Sequence, residues 1–170
     1  MNADEPIGLL IGAVRRRIRQ AVGSHVRRYH LTTQQFWVLV AIHEHPGASL
    51  GELAAHLRMD KPTASRVVFT LLKRKLVQVR VDAADRRRTH LHLATSGAAL
   101  GGELQALATS VRAAVVRGLS AAELRALRVS LRKIVANMDR IVDGRATEMT
   151  AKVGNRRAHR ALALAHRHRY

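Results

Sequence analysis

The sequence predicts a mainly α-helical fold that carries one small antiparallel β-ribbon. Three observations predict it. Apolar residues recur at three- and four-residue spacing through most of the chain, and Ser/Thr-x-x-Glu/Gln capping signals open several of those stretches. Strict apolar–polar alternation is confined to residues 77–81 and 90–93.

Taken in order, residues 4–29 read as a long first helix. Ile7, Leu10, Ile11, Val14, Ile18, Val22 and Val26 share a stripe, while Arg15, Arg16, Arg17 and Arg19 mostly face elsewhere. Such a helix suits a membrane surface or a solvated face on a packed helix, and the pattern that follows favours the packed helix. Thr32-x-x-Gln35 opens a second helix to about His45, with Phe36, Trp37, Val40 and Ala41 as core residues, and Pro46-Gly47 ends it. Ser49-x-x-Glu52 opens a short third helix with Leu50, Leu53, Ala54 and Leu57 inward. After the turn Arg58-Met59-Asp60, a fourth helix runs from Lys61 to Lys75, with Asp60 as N-cap and Pro62 in the first turn. Two short helices joined this way form a helix-turn-helix.

Two faces of the fourth helix differ in chemistry. Ala64, Val67, Val68, Leu71 and Leu72 make a buried side. Thr63, Arg66, Thr70 and Lys73, with Ser65 beside them, mix cations with short hydroxyls, which suits phosphates and base edges in a major groove. Val77, Val79 and Val81 then point one way along a strand, and Leu91 and Leu93 repeat the pattern on the return. Between the strands sits Asp82-Ala83-Ala84-Asp85-Arg86-Arg87-Arg88, an arginine tip, so the whole reads as a winged helix-turn-helix. From Lys61 to His92 the net charge is +7, concentrated on one element that includes Lys61 and Arg88.

Two long helices complete the body. Residues 95 to about 118 place Leu100, Leu104, Leu107, Val111 and Val115 on a stripe, with Gly101-Gly102 a weak point. Ser120-x-x-Glu123 opens the last, whose Leu124, Leu127, Leu131, Ile134, Met138 and Ile141 resemble an a/d seam. That seam is more than one small domain needs and suggests packing on a second subunit. Residues 145–170 carry a net +6 and read as a basic extension, either a weak amphipathic helix or a segment ordered by phosphate. The predicted organisation is a domain over 1–144, with dimerisation helices at 4–29 and 95–143 around a winged helix-turn-helix at 33–93, and the extension at 145–170.

Arg80-Val81-Asp82-Ala83-Ala84-Asp85-Arg86-Arg87-Arg88, followed by Leu91, Leu93 and Gly97, resembles the wing of multiple-antibiotic-resistance-type (MarR) transcriptional regulators. Lys61-Pro62-Thr63-Ala64-Ser65-Arg66 resembles that family's recognition helix. The resemblance implies that Thr63, Ser65 and Arg66 reach base edges and that Arg86 and Arg87 sit at the wing tip, one of them in the minor groove. It implies that Asp85 holds an arginine side chain, and that Lys73 and Arg74 touch phosphate or solvent. It further implies a homodimer and a small aromatic effector near His25, Tyr29, Phe36 and Trp37, of which core packing explains Phe36 and Trp37 equally well. Three features depart from the family pattern: Lys75 in place of a helix-ending glycine, Ala94 in place of a capping threonine (with Thr95 able to take over), and the basic extension.

Composition bounds the function. The 170 residues carry a net charge of +18, so double-stranded DNA or an anionic membrane is the natural partner. No apolar run spans a bilayer and no secretory leader is expected, so a cytoplasmic, nucleoid-associated protein without membrane contact fits. The absence of cysteine excludes disulfides and thiolate metal sites. The pairs His43/His45, His90/His92 and His166/His168 lack completing ligands, so no metal and no cofactor is expected and the histidines are read as solvent-facing. No nucleophile elbow or phosphate-binding glycine loop is present, so no enzyme is expected. The reading is a sequence-specific transcriptional regulator, a repressor of a palindromic operator relieved by a small ligand. The rival is a sequence-tolerant architectural DNA-binding protein.

Overall fold

The computed structural model describes residues 4–85 and 88–166, with side chains described as far as residue 144. Six helices and a two-stranded ribbon follow in the order α1 (Ile7–Val26), α2 (Thr33–Glu44), α3 (Leu50–His56), α4 (Lys61–Lys73), β1 (Val77–Val81), β2 (Thr89–Leu93), α5 (Thr95–Val116) and α6 (Ala121–His166). The chain divides into two compact units, Met1–Arg117 and Gly118–Tyr170.

In the first unit α2 is the central pillar. Phe36, Val38, Leu39, Val40, Ala41 and Ile42 are all buried, so it is apolar around most of its circumference, as a helix surrounded by others must be. Val22 and Val26 of α1, Leu53 of α3, Val67, Val68 and Leu71 of α4, Val77 and Leu91 of the ribbon, and Leu104 and Ala108 of α5 complete the core. The helix starts follow local sequence. Thr32 with Gln35 and Ser49 with Glu52 form reciprocal capping boxes, and Asp60 Oδ1 accepts from the Thr63 amide at 2.8 Å.

Helix ends depart from the sequence reading. α1 stops at Val26 and tightens into a 3-10 turn over Arg27–Tyr29, and α4 stops at Lys73, not Lys75. His30, Arg58 and Lys75 each adopt a left-handed backbone, with φ of 53°, 50° and 56°. Each reverses the chain so that a following amide bonds back into the helix: Leu31 to Val26, Met59 to Ala54, Leu76 to Leu71. Lys75 thus performs the glycine's task and bears its steric cost, about 1 kcal/mol. Ala94 remains the N-cap residue of α5, without a side-chain cap, and Thr95 does not take over. Gly101 is also more than a weak point. A Cβ there would lie 2.9 Å from His43 Nδ1, so its bareness lets α5 approach α2, whereas Gly102 faces nothing within 4 Å.

The ribbon pairs Val77 with Leu93, Val79 with Leu91 and Val81 with Thr89. Of the three valines expected inward only Val77 is buried; Val79 is 43% and Val81 59% exposed. Two strands projecting beyond the helices have no second layer to cover their outer half. The base is wider than two strands, because the Gly47 amide donates to Leu91 O and the Leu91 amide to Ala48 O.

In the second unit, Ser120 and Glu123 cap α6 reciprocally. Its seam residues Leu127, Leu131, Met138 and Ile141 are exposed in the single chain. The helical backbone passes through residue 145 without a break, while the side chains of the basic extension lie outside the described residues.

Candidate nucleic-acid interface

α4 presents its polar face because its apolar face is anchored on α2. Lys61, Ser65, Arg66, Thr70 and Lys73 are exposed and Thr63 is half-buried, so the sequence-predicted residues of this helix share one surface. Arg66 Nη2 donates to Thr63 Oγ1 at 3.4 Å, and Thr70 Oγ1 donates back to Arg66 O at 3.0 Å. An open groove beside them is lined by Thr32, Gln34, Gln35, Thr63, Arg66 and Thr70. It joins the first turn of α2 to the guanidinium of Arg66.

The same face carries an aromatic ring that the sequence reading left out. Phe69 is 56% exposed, and Lys73 Nζ lies 4.5 Å from its ring centroid. Periodicity alone signals the site, because an apolar residue interrupts the polar face. Arg74, expected at phosphate or solvent, instead donates to His30 O at 2.8 Å and Tyr29 O at 3.0 Å, capping the turn after α1.

The wing loop is organised by Asp82. Its Oδ1 accepts from the amides of Ala84 and Asp85 at 2.7 and 3.0 Å, and its Oδ2 lies 2.8 Å from His90 Nε2. His90 Nδ1 in turn lies 2.7 Å from Gly47 O. Both ring nitrogens face acceptors, so the ring in its protonated form donates to both and ties the wing to the turn between α2 and α3. The Asp82 carboxylate first, and then the Gly47 carbonyl, raises the His90 pKa, while His90 and the two amides hold Asp82 down at about 2. The solvent-facing reading of His90 is therefore corrected. Asp85 Oδ2 lies 3.6 Å from Arg88 Nε, and Arg88 is exposed. Arg86 and Arg87 lie outside the described residues.

The four residues expected near an effector are separated in role. Phe36 is fully buried and meets Trp37 edge-on at 4.8 Å. The Tyr29 hydroxyl and Arg28 both donate to Glu103 of α5, and exposed His25 bonds to Ala21 O. Trp37 lies under Arg112, whose guanidinium pairs with Glu44 at 2.5 and 3.0 Å and holds that carboxyl down at about 2. No helix among the described residues is long and apolar enough to cross a membrane.

Comparison with known proteins agrees with this geometry. A MarR-family model matches residues 29–88. The transcriptional repressor NicR of Pseudomonas putida is 34% identical over 105 residues, 62% of this chain and 66% of that protein, just under two thirds of its length. Among solved structures, Bordetella bronchiseptica BpsR, whose DNA binding is regulated by 6-hydroxynicotinic acid, is 30% identical. It superposes with a TM-score of 0.63 over 77% of this chain and 99% of BpsR. A mutant of E. coli MarR complexed with operator DNA is 25% identical, with a TM-score of 0.63 over 76% of this chain and 93% of that one. The recognition helix, the ribbon and these likenesses agree: the chain belongs to the MarR family of winged-helix, DNA-binding transcriptional regulators.

Proposed function

We propose that this chain is a repressor that binds a pseudo-palindromic operator as a homodimer and is released by a small aromatic acid. The exposed hydroxyl and guanidinium face of α4, seated on a rigid α2, carries the reading. In it Thr63, Ser65 and Arg66 meet base edges, while Lys61, Thr70 and Lys73 meet phosphates and flanking edges. Arg86, Arg87 and Arg88 follow the minor groove from the wing, with Asp85 steadying one of them. Dimerisation rests on the apolar stripe of α1 (Ile7, Leu10, Ile11, Val14) and the seam of α6, which the single chain leaves exposed. Residues 1–144 would form the regulatory domain and 145–170 a basic extension on DNA, in the cytoplasm.

The effector proposal rests on the likeness to BpsR, which makes 6-hydroxynicotinic acid the first compound to try, with His25, Tyr29 and Trp37 as the polar and aromatic groups available to it. The net charge of +18 favours the architectural alternative. In-vitro selection from a random duplex pool at near-physiological salt separates the two. An inverted repeat with half-sites about one helical turn apart supports the operator reading. Tight binding without a motif overturns it.

A further inference from the structure

The end of α2 and the end of α3 bring together ligands that sequence spacing keeps apart. Among the described residues, Glu44, His45 and His56 each offer one donor atom, and these atoms lie within 4.8 Å of one another. They line an open cavity of about 600 Å³ together with Pro46, Gly47 and Glu52. The two imidazoles meet edge to face, with ring centroids 4.5 Å apart. His43, paired with His45 by sequence, is turned away against Gly101. The trio draws on residues eleven positions apart, which is why His-x-His spacing missed it.

From this geometry we infer a binding site for a divalent transition cation of the Zn²⁺ class, with Glu44, His45 and His56 as its three protein ligands and a fourth position open to water. Two imidazoles and one carboxylate are a donor set that Zn²⁺ takes with bonds of about 2.0–2.2 Å. Tetrahedral ligands then stand roughly 3.3 Å apart, so donors that lie within 4.8 Å of one another must close by up to about 1.5 Å. His45 and His56 are exposed and free to rotate by that amount. Glu44 is already fixed. Its Oε1 accepts from Gln105 Nε2 and Arg112 Nη1, and its Oε2 from Arg112 Nη2. A carboxylate offers about four lone-pair positions, so one on Oε2 stays open for a cation. Gln105 and Arg112 play the part of the outer partners that orient a ligating group. The ion would join α2 to α3 two residues before Gly47, whose carbonyl receives the wing's His90, and would reach α5 through Arg112.

The test is direct titration of the metal-stripped full chain with Zn²⁺ against a chromophoric chelator, with Co²⁺ as a spectroscopic stand-in. The wild-type chain should bind one equivalent per chain and give Co²⁺ visible bands of four- or five-coordinate intensity. His45→Ala and His56→Ala should each weaken Zn²⁺ at least about tenfold, the effect that even outer partners carry. The double variant should lose the bands, while its metal-free melting stays that of wild type. A His166→Ala/His168→Ala chain should bind as wild type. The inference is overturned if the wild-type chain shows no saturable binding, or if the His45/His56 double variant binds as well as wild type. The readout is metal occupancy, so it stands or falls independently of operator binding.

Discussion

Gly97 and Gly102 lie five residues apart in α5, and the structure gives them opposite tolerances. A Cβ on Gly97 would lie 2.0 Å from Leu76 O, 3.0 Å from Leu76 C and 3.3 Å from Leu76 Cα, all backbone atoms that cannot rotate away. Ordinary contact would require α5 and the start of β1 to part by more than about 1 Å, an overpacking cost of about 1–3 kcal/mol. The separation would also strain the bonds that seal this joint, Ala94 N–H to Leu76 O at 3.0 Å and Ser96 Oγ to Lys75 O at 2.6 Å, each worth about 1 kcal/mol. Less about 1 kcal/mol regained in helix propensity, Gly97→Ala should therefore cost roughly 2–4 kcal/mol. At about 2–4 °C per kcal/mol for a chain of this size, melting should fall by roughly 10 °C. Gly102 is exposed with nothing within 4 Å of its would-be Cβ. Gly102→Ala should gain about 1 kcal/mol of helix propensity and raise melting by a few degrees. The assay is thermal unfolding by far-ultraviolet circular dichroism at matched protein concentration. A Gly97→Ala chain melting within a degree or two of wild type would refute the close approach at the wing's base.

Three further outcomes follow from the same geometry. Lys75→Gly should relieve the left-handed backbone and stabilise the chain by up to about 1 kcal/mol in denaturant unfolding, while Lys75→Ala should gain nothing. Glu44 is ionised more readily in the folded chain than in the unfolded one, so its contribution is present above about pH 4.5 and is lost as pH falls towards about 2. Glu44→Gln should flatten that acid limb of a stability–pH curve. His90 shifts the opposite way: its contribution is full below its ordinary pKa near 6.5 and fades as pH rises through the raised folded value. His90→Ala should remove that alkaline loss and increase amide exchange in residues 82–88; unchanged exchange would dissolve the proposed wing tether.

Much of this fold could be read from local sequence, and the reason is physical. The helix starts at Thr32, Ser49, Asp60 and Ser120 are set by side chains three residues from the amides they satisfy, so spacing alone reveals them. The buried face of α4 follows from its 3.6-residue period. What could not be read depends on residues distant in sequence. The left-handed turns at His30 and Arg58 carry no glycine to announce them, and the one at Lys75 is signalled only through the family resemblance. Arg74 leaves the polar face of α4 because carbonyls 44 and 45 residues earlier await it. Val79 and Val81 alternate like a half-buried strand yet stay exposed, since alternation reports which face a residue takes and not whether anything covers that face. The link between Asp82 and His90 is not legible in the sequence, because the carbonyl that completes it, Gly47 O, comes from another turn.

In the proposed function, α4 reads bases and does not merely hold phosphates. Its most direct test is the affinity of wild type and Arg66→Ala for a selected operator and for every single-base variant of it, at one fixed salt concentration. Arg66→Ala should lose about 1–3 kcal/mol on the operator and stop discriminating at one base pair in each half-site, with discrimination elsewhere retained. A uniform loss across all duplexes, with every base preference intact, would assign Arg66 to the phosphate backbone and rule out base reading by this residue.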